Sequence, residues 1–180
     1  MSLTIRSIGR SELHLVTALS AQIWPTAYKE IITQEQIKYM LNTMYSQQAL
    51  EQNLSDGHVF LLAELDGKPV GYAGYQMHFP ELEFSKLHKL YVLPEIHHSG
   101  IGGALFDSVV TACKNEHCKH MILQVNKHNP ALQFYLKKGM FMHEEAVFNI
   151  GNGFVMDDYI MRLDWWKLVP SYHVENWHAH

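Results

Sequence analysis

Apolar and polar residues alternate from Leu3 to Ile8, the period of a short half-buried strand. The period then lengthens to that of a helix, with Ser11 as its expected cap and Pro25 as the point where it bends or stops. Thr33 followed by Gln36 is a capping-box signature. It predicts a second helical region over residues 37–54, with a break near Ser46. From there the period drops to two. Residues 59–64 and 70–77 read as strands joined by Asp66-Gly67, the strongest hairpin signal in the chain. Residues 86–93 form a third strand that Pro94 ends. A helical face follows, carried by Ile101, Leu105, Val109, Val110 and Ala112. Residues 121–125 are strand-like, and Asn129-Pro130 opens another helix that Gly139 closes. Two last strands, residues 141–150 and 154–163, flank Gly151-Asn152-Gly153.

The order β, α, α, three strands, α, β, α, β, β is not that of a doubly wound sheet. It predicts an α/β (α+β) fold, a mixed and mostly antiparallel twisted sheet with helices on both faces. No repeat or linker divides the 180 residues, so residues 1–164 read as one domain and 165–180 as a tail. That tail, rich in Trp, His and Tyr, leaves two uses open: packing back on the domain, or a contact in a homodimer.

Charge narrows the function. A net charge of -4 with 18% charged residues gives no basic patch for nucleic acid or a membrane surface. The N-terminus lacks an apolar signal region, no apolar run is long enough to span a membrane, and a cytoplasmic protein is expected. Cys113 and Cys118 stand as a lone C-x4-C pair, which fits neither a zinc site nor a disulfide framework; free thiols are the expectation. The 13 histidines lack the i, i+4 spacing beside a carboxylate that marks a zinc helix, so no metal is assigned.

One segment carries chemistry. A strand runs into Pro94-Glu95-Ile96-His97-His98-Ser99-Gly100-Ile101-Gly102-Gly103 and then an apolar helix. Glycines at a helix start let backbone N–H groups approach an anion, and the helix dipole adds positive potential. A dinucleotide fingerprint would need glycine at position 105, which is Leu105, and a P-loop would need Gly-Lys-Ser/Thr, which is absent.

Leu90-Tyr91-Val92-Leu93-Pro94 followed by His97-x-x-Gly100-x-Gly102 resembles the central motif of the GCN5-related N-acetyltransferase (GNAT) family, Q/R-x-x-G-x-G/A. Asn129-Pro130-Ala131-Leu132-Gln133-Phe134-Tyr135-Leu136-Lys137-Lys138-Gly139-Met140 resembles its second block. The likeness spans roughly residues 3 to 164 and departs at His97, where the family has Gln or Arg, and at Met140, where it has Phe. The first helix and the strand Met156-Asp157-Asp158-Tyr159-Ile160-Met161 are similar to the polyamine-acetylating branch.

The resemblance implies an acyl-CoA N-acyltransferase-like fold and direct acetyl transfer from acetyl-CoA, as co-substrate, to a primary amine of a small molecule, with polyamines the first guess. It also leaves open a protein N-terminus or lysine as acceptor, and an acyl-CoA sensor without turnover. Its cofactor contacts would be Leu90, Tyr91, Val92, His97, His98, Ser99, Gly100, Ile101, Gly102, Gly103, Asn129, Tyr135 and Lys137, with Lys138 beside them. Tyr135 would protonate the departing thiolate, and the Val92 N–H would steady the oxyanion. Glu83 and His78 are the candidate bases. Trp24 and Tyr28, with Tyr45, would wall the amine. Strict alternation would place His88 on the face of Leu90 and Val92.

Overall fold

The structure, a computed structural model, is described for residues 1–166. In chain order the elements are β1 (Leu3–Ile8), α1 (Leu13–Ala27), α2 (Gln34–Met44), α3 (Gln47–Ser55), β2 (His58–Leu65), β3 (Lys68–Met77), β4 (Phe84–Val92), α4 (Ile101–Asn115), β5 (His120–Asn126), α5 (Ala131–Lys137), β6 (Phe141–Gly151) and β7 (Phe154–Asp164). The strands form one seven-stranded sheet in the order β1-β2-β3-β4-β5-β7-β6. Every neighbouring pair is antiparallel except β4 and β5. The expected fold class is borne out.

The two sheet faces bury different helices. Leu13, Val16, Leu19, Ile23 and Trp24 of α1 pack with Ile37 and Met40 of α2, Leu50 of α3, and Phe60, Leu62 and Tyr72 of the sheet. On the opposite face Leu105, Phe106 and Val109 of α4 pack with Leu61, Ala73, Leu87, Met121, Leu123 and Met161. Each such fully buried side chain contributes roughly 1.5–3 kcal/mol relative to exposure. Trp165, just past β7, closes over the second core and donates its indole N–H to the Cys118 carbonyl at 2.7 Å. The rest of the tail, from residue 167, lies outside the described residues.

Local chemistry explains most boundaries. Asp66 and Gly67 take positive φ (50° and 78°), which a two-residue hairpin turn between β2 and β3 requires. Thr33 caps α2 by accepting from the Gln36 N–H at 3.1 Å, but the Gln36 side chain does not return to complete the box. It donates to the Val155 carbonyl at 2.9 Å instead. The break at Ser46 is real, since its hydroxyl accepts from Ala49 N–H and starts α3 as a separate helix.

Other expectations need correction. Ser11 does not cap α1; it sits inside a short 3-10 turn, Arg10–Glu12, that leads into the helix. Pro25, by contrast, falls in the last turn of α1, which ends at Ala27 as expected of a stop near that proline. Strict alternation along β4 also fails. Gly74 pairs with Lys89 but Tyr75 pairs with Leu87, so His88 is the extra residue of a β-bulge. Leu87 and Leu90 therefore both reach the α4 face, and His88 stacks on His58 at 4.1 Å between ring centres.

Candidate active site

The parallel pair β4–β5 is hydrogen-bonded only from Phe84 to Leu87 against His120 to Leu123. Beyond those residues the strands diverge, because β5 continues its pairing with β7 while β4 stays with β3. The result is a gap through the middle of the sheet. A cleft of about 1010 Å³ runs through it. At one end are residues 97–103 and the start of α4; at the other are Trp24 and Tyr28 of α1, Met40 and Met44 of α2, and Phe148 to Ile150 of β6.

Main-chain polarity on β4 follows from one bond. Leu93 N–H donates to Val70 of β3 at 2.9 Å. Successive peptide groups of a strand face opposite sides, so the N–H groups of Leu90 and Val92 turn toward the gap. Close approach of β3 makes this possible: a Cβ on Gly71 would stand 2.7 Å from the Tyr91 carbonyl oxygen.

At the start of α4, Gly100 takes φ 83°, reversing the chain so that the first helical bond is Ala104 N–H to the Gly100 carbonyl. The N–H groups of Ile101, Gly102 and Gly103 have no preceding turn to donate to. A Cβ on Gly102 would meet only Val92 Cγ2 at 3.8 Å, so internal packing does not demand glycine there. The missing side chains clear the approach to bare amides at the positive end of the helix dipole. That is the geometry a diphosphate fits.

Tyr135 projects from α5 into the cleft and is 8% exposed. Burial holds its phenol well above the ordinary range, so the side chain is a neutral O–H. Asn129, one residue before the Pro130 cap of α5, accepts from the Ala131 N–H at 2.9 Å while also lining the cleft.

His97, expected to reach a phosphate, bonds the Val92 carbonyl through Nε2 at 2.9 Å and fastens the loop to the end of β4. His98 adopts φ 68° at the turn. His97, His98, Ser99, Gly100, Ile101, Gly102 and Gly103 all line the cleft, as do Leu90, Tyr91 and Val92. Lys137 does not; it is exposed on the outer side of α5. Its neighbour Lys138 approaches Gly103 instead and pairs with Asp107 at 2.8 Å.

The two expected bases are misplaced. Glu83 precedes β4 at the end away from the cofactor loop, where it pairs in solvent with Lys119 at 2.5 Å. His78, also exposed, meets the Leu82 carbonyl at that same end through Nδ1. Neither lines the cleft; both lie before Lys86, the first residue of β4 that does.

Trp24 and Tyr28 stack at 4.3 Å, and the Tyr28 hydroxyl meets that of Tyr91 at 2.9 Å. Burial keeps Tyr28, Tyr45 and Tyr91 protonated. Sequence reasoning missed Lys86, Lys89, Gln124 and Asn126, which also line the cleft. Gln124 and Asn126 were legible as polar positions in an otherwise apolar strand. The face of Lys89 was legible too, since alternation puts it with Tyr91 and the bulge at His88 lies before both.

With this geometry in place, comparison with known proteins is decisive. Residues 22–140 match the acetyltransferase (GNAT) family. The chain belongs to that family. It is an acetyl-CoA-dependent N-acetyltransferase, as its motifs implied. An uncharacterised N-acetyltransferase of Mycobacterium tuberculosis strain H37Rv is 28% identical over 148 residues, covering 81% of this chain and 93% of that relative. The PaiA N-acetyltransferase of Thermoplasma acidophilum, crystallised with coenzyme A, superposes with a TM-score of 0.78 at 24% identity. That match covers 91% of this chain and 99% of the other. A GCN5-related N-acetyltransferase from Rhodopseudomonas palustris gives 0.77 at 18% identity, over 91% and 96% of the two chains. Among the described residues no group of metal-ligating side chains comes together, and no helix is long and apolar enough to cross a membrane.

Proposed function

We propose that this N-acetyltransferase acetylates the primary amine of a small molecule, with donor and acceptor entering one cleft from opposite faces of the sheet. The observation that carries this reading is the continuity of the cleft from the bare amides of α4, past Tyr135, to the aromatic wall of α1. Acetyl-CoA supplies an activated acyl group as its thioester. Residues 98–103 hold its diphosphate through main-chain N–H groups. The edge of β4 that β5 abandons offers the N–H groups of Leu90 and Val92 to the pantetheine and the acyl carbonyl. Charge building on that carbonyl oxygen is met by the Val92 N–H, already fixed by the strand and needing no reorganisation.

Tyr135 stands at the junction with a hydroxyl that keeps its proton, as a donor to the departing sulfur must. The acceptor arrives as an ammonium and loses a proton before attack. Among the described residues no Asp or Glu lines the cleft, so water held by Gln124, Asn126 or His88 is the route by which that proton leaves. Two bonds support a small acceptor over a protein chain. Tyr39 donates to the Ile150 carbonyl at 2.8 Å and Gln36 to Val155, so α2 is tied to the β6–β7 hairpin across the acceptor end.

Tyr135→Phe tests the assignment. Loss of a general acid costs on the order of 10²-fold or more in kcat, while acetyl-CoA affinity is expected to stay near wild type because the ring remains. The measurement is thiol release across a panel of amines, with calorimetry for binding. An unchanged rate removes Tyr135 from the chemistry; acetyl-CoA binding without transfer to any amine overturns the reading.

A further inference from the structure

The acceptor end of the cleft is unusual in its charge. Among the described residues its lining includes Lys86 and Lys89 but no Asp or Glu. Lys89 shares its face of β4 with Tyr91, on the side of the sheet that packs α1, α2 and α3. The side chain lies across β3, its Cδ 3.3 Å from where a Cβ on Gly74 would be, and reaches toward α3. There the ammonium has one weak hydrogen bond, to Asn53 Oδ1 at 3.4 Å, and sits 5.0 Å over the Tyr45 ring. Lys86 lies 5.9 Å from the Phe79 ring, and among the described residues no carboxylate pairs with it either.

Among the described residues the surrounding groups supply no negative charge there either. His58 and His88 stack against each other, and burial together with Lys86 and Lys89 suppresses the charged form of both rings. Asp56, the carboxylate acting on His58, is held by Gln52 and lies outside the cleft. Burial and the neighbouring Lys86 pull Lys89 down to about 8. A buried ammonium without an anion is costly, and an arriving counter-charge relieves that cost.

This face of the sheet is not the one that carries α4, so the donor's diphosphate is provided for elsewhere. A second cation would gain nothing here: the Tyr45 ring that could receive it already faces Lys89, and like charge repels it. We propose that Lys89, assisted by Lys86, receives an anionic group of the acceptor, so that the amine acetylated here also carries a carboxylate or a phosphate. The inference rests on the small-amine reading and departs from the polyamine guess within it.

Matched acceptors test it: 4-aminobutyrate, aminoethyl phosphate, 4-aminobutanol and 1,4-diaminobutane, each with acetyl-CoA. At least one anionic acceptor is expected to exceed the amino alcohol tenfold or more in kcat/KM, and the diamine is expected to be poorest. The two anionic acceptors distinguish carboxylate from phosphate. Lys89→Met should erase the preference through KM, and Lys89→Arg should keep it. A second readout needs no turnover. The anionic amine should raise the melting temperature of the CoA-bound protein more than the alcohol does, and Lys89→Met should abolish that difference. If the shift is selective but no amine is acetylated, the transfer reading fails and this one stands. Preference for the diamine or the alcohol, equal thermal shifts, or equal losses for every acceptor in Lys89→Met would each overturn it.

Discussion

At the scale of single residues, the sheet holds one group at odds with its surroundings. Asp158 of β7 is fully buried beside Asn126, and neither carboxylate oxygen has a hydrogen-bond partner. Burial, with the charge of Asp157, pushes it up to about 6 from an ordinary 3.8. The sign follows directly: the folded chain holds this proton more tightly than the unfolded chain does. Stabilisation from the protonated form is complete below about pH 4 and is lost as pH rises through about 6. Asp158→Asn is therefore expected to raise stability at pH 7.5, by up to about 3 kcal/mol, since it removes the charge that burial disfavours. Thermal melts at several pH values check this, with the gain disappearing at pH 4. A gain independent of pH would refute the electrostatic cause.

At the scale of elements, the end of β4 decides whether a site exists. Its bare amides depend on β3 lying close on the other side, and Gly71 permits that closeness. Gly71→Ala brings a Cβ to 2.7 Å from the Tyr91 carbonyl, a backbone atom that cannot step aside alone. Strain of this kind costs about 1–3 kcal/mol. Chemical denaturation should show that loss, and acetyl transfer should fall beyond it as Tyr91 and Val92 shift; a variant as stable and active as wild type would contradict the packing argument.

What could be read from the chain sorts along the same line. Asp66-Gly67 announced its hairpin, and Gly100 with Gly102 announced the turn into α4, because backbone conformation there is set by the residues themselves. The bulge at His88 was invisible, since it arises from mismatched pairing of β3 with β4. Lys89 keeps the face that alternation from Tyr91 gives it; His88 and the residues before it are the ones displaced. Glu83 looked like a base because it stands near β4 in sequence, but only the point where β4 and β5 part shows which end of the strand faces the cleft. His97 kept its polar role with a different partner, the Val92 carbonyl.

Across the whole molecule, the two layers of helices have divided duties. The layer with α4 and α5 offers main-chain N–H groups and the Tyr135 hydroxyl; the layer with α1, α2 and α3 offers aromatic walls and unpaired lysines. The gap between β4 and β5 is where they meet, so a reaction needing both a thioester and an amine is confined to one place. Everything depends on the α4 turn holding the donor. Titration of acetyl-CoA by calorimetry into wild type and Gly102→Leu tests that most directly. The wild-type chain should bind one equivalent. The leucine variant should bind at least tenfold more weakly at a little-changed melting temperature, because its Cβ meets the core only at Val92 Cγ2, at an ordinary contact distance of 3.8 Å. Equal affinity in the two proteins, or no binding to either, would contradict a donor site at that turn.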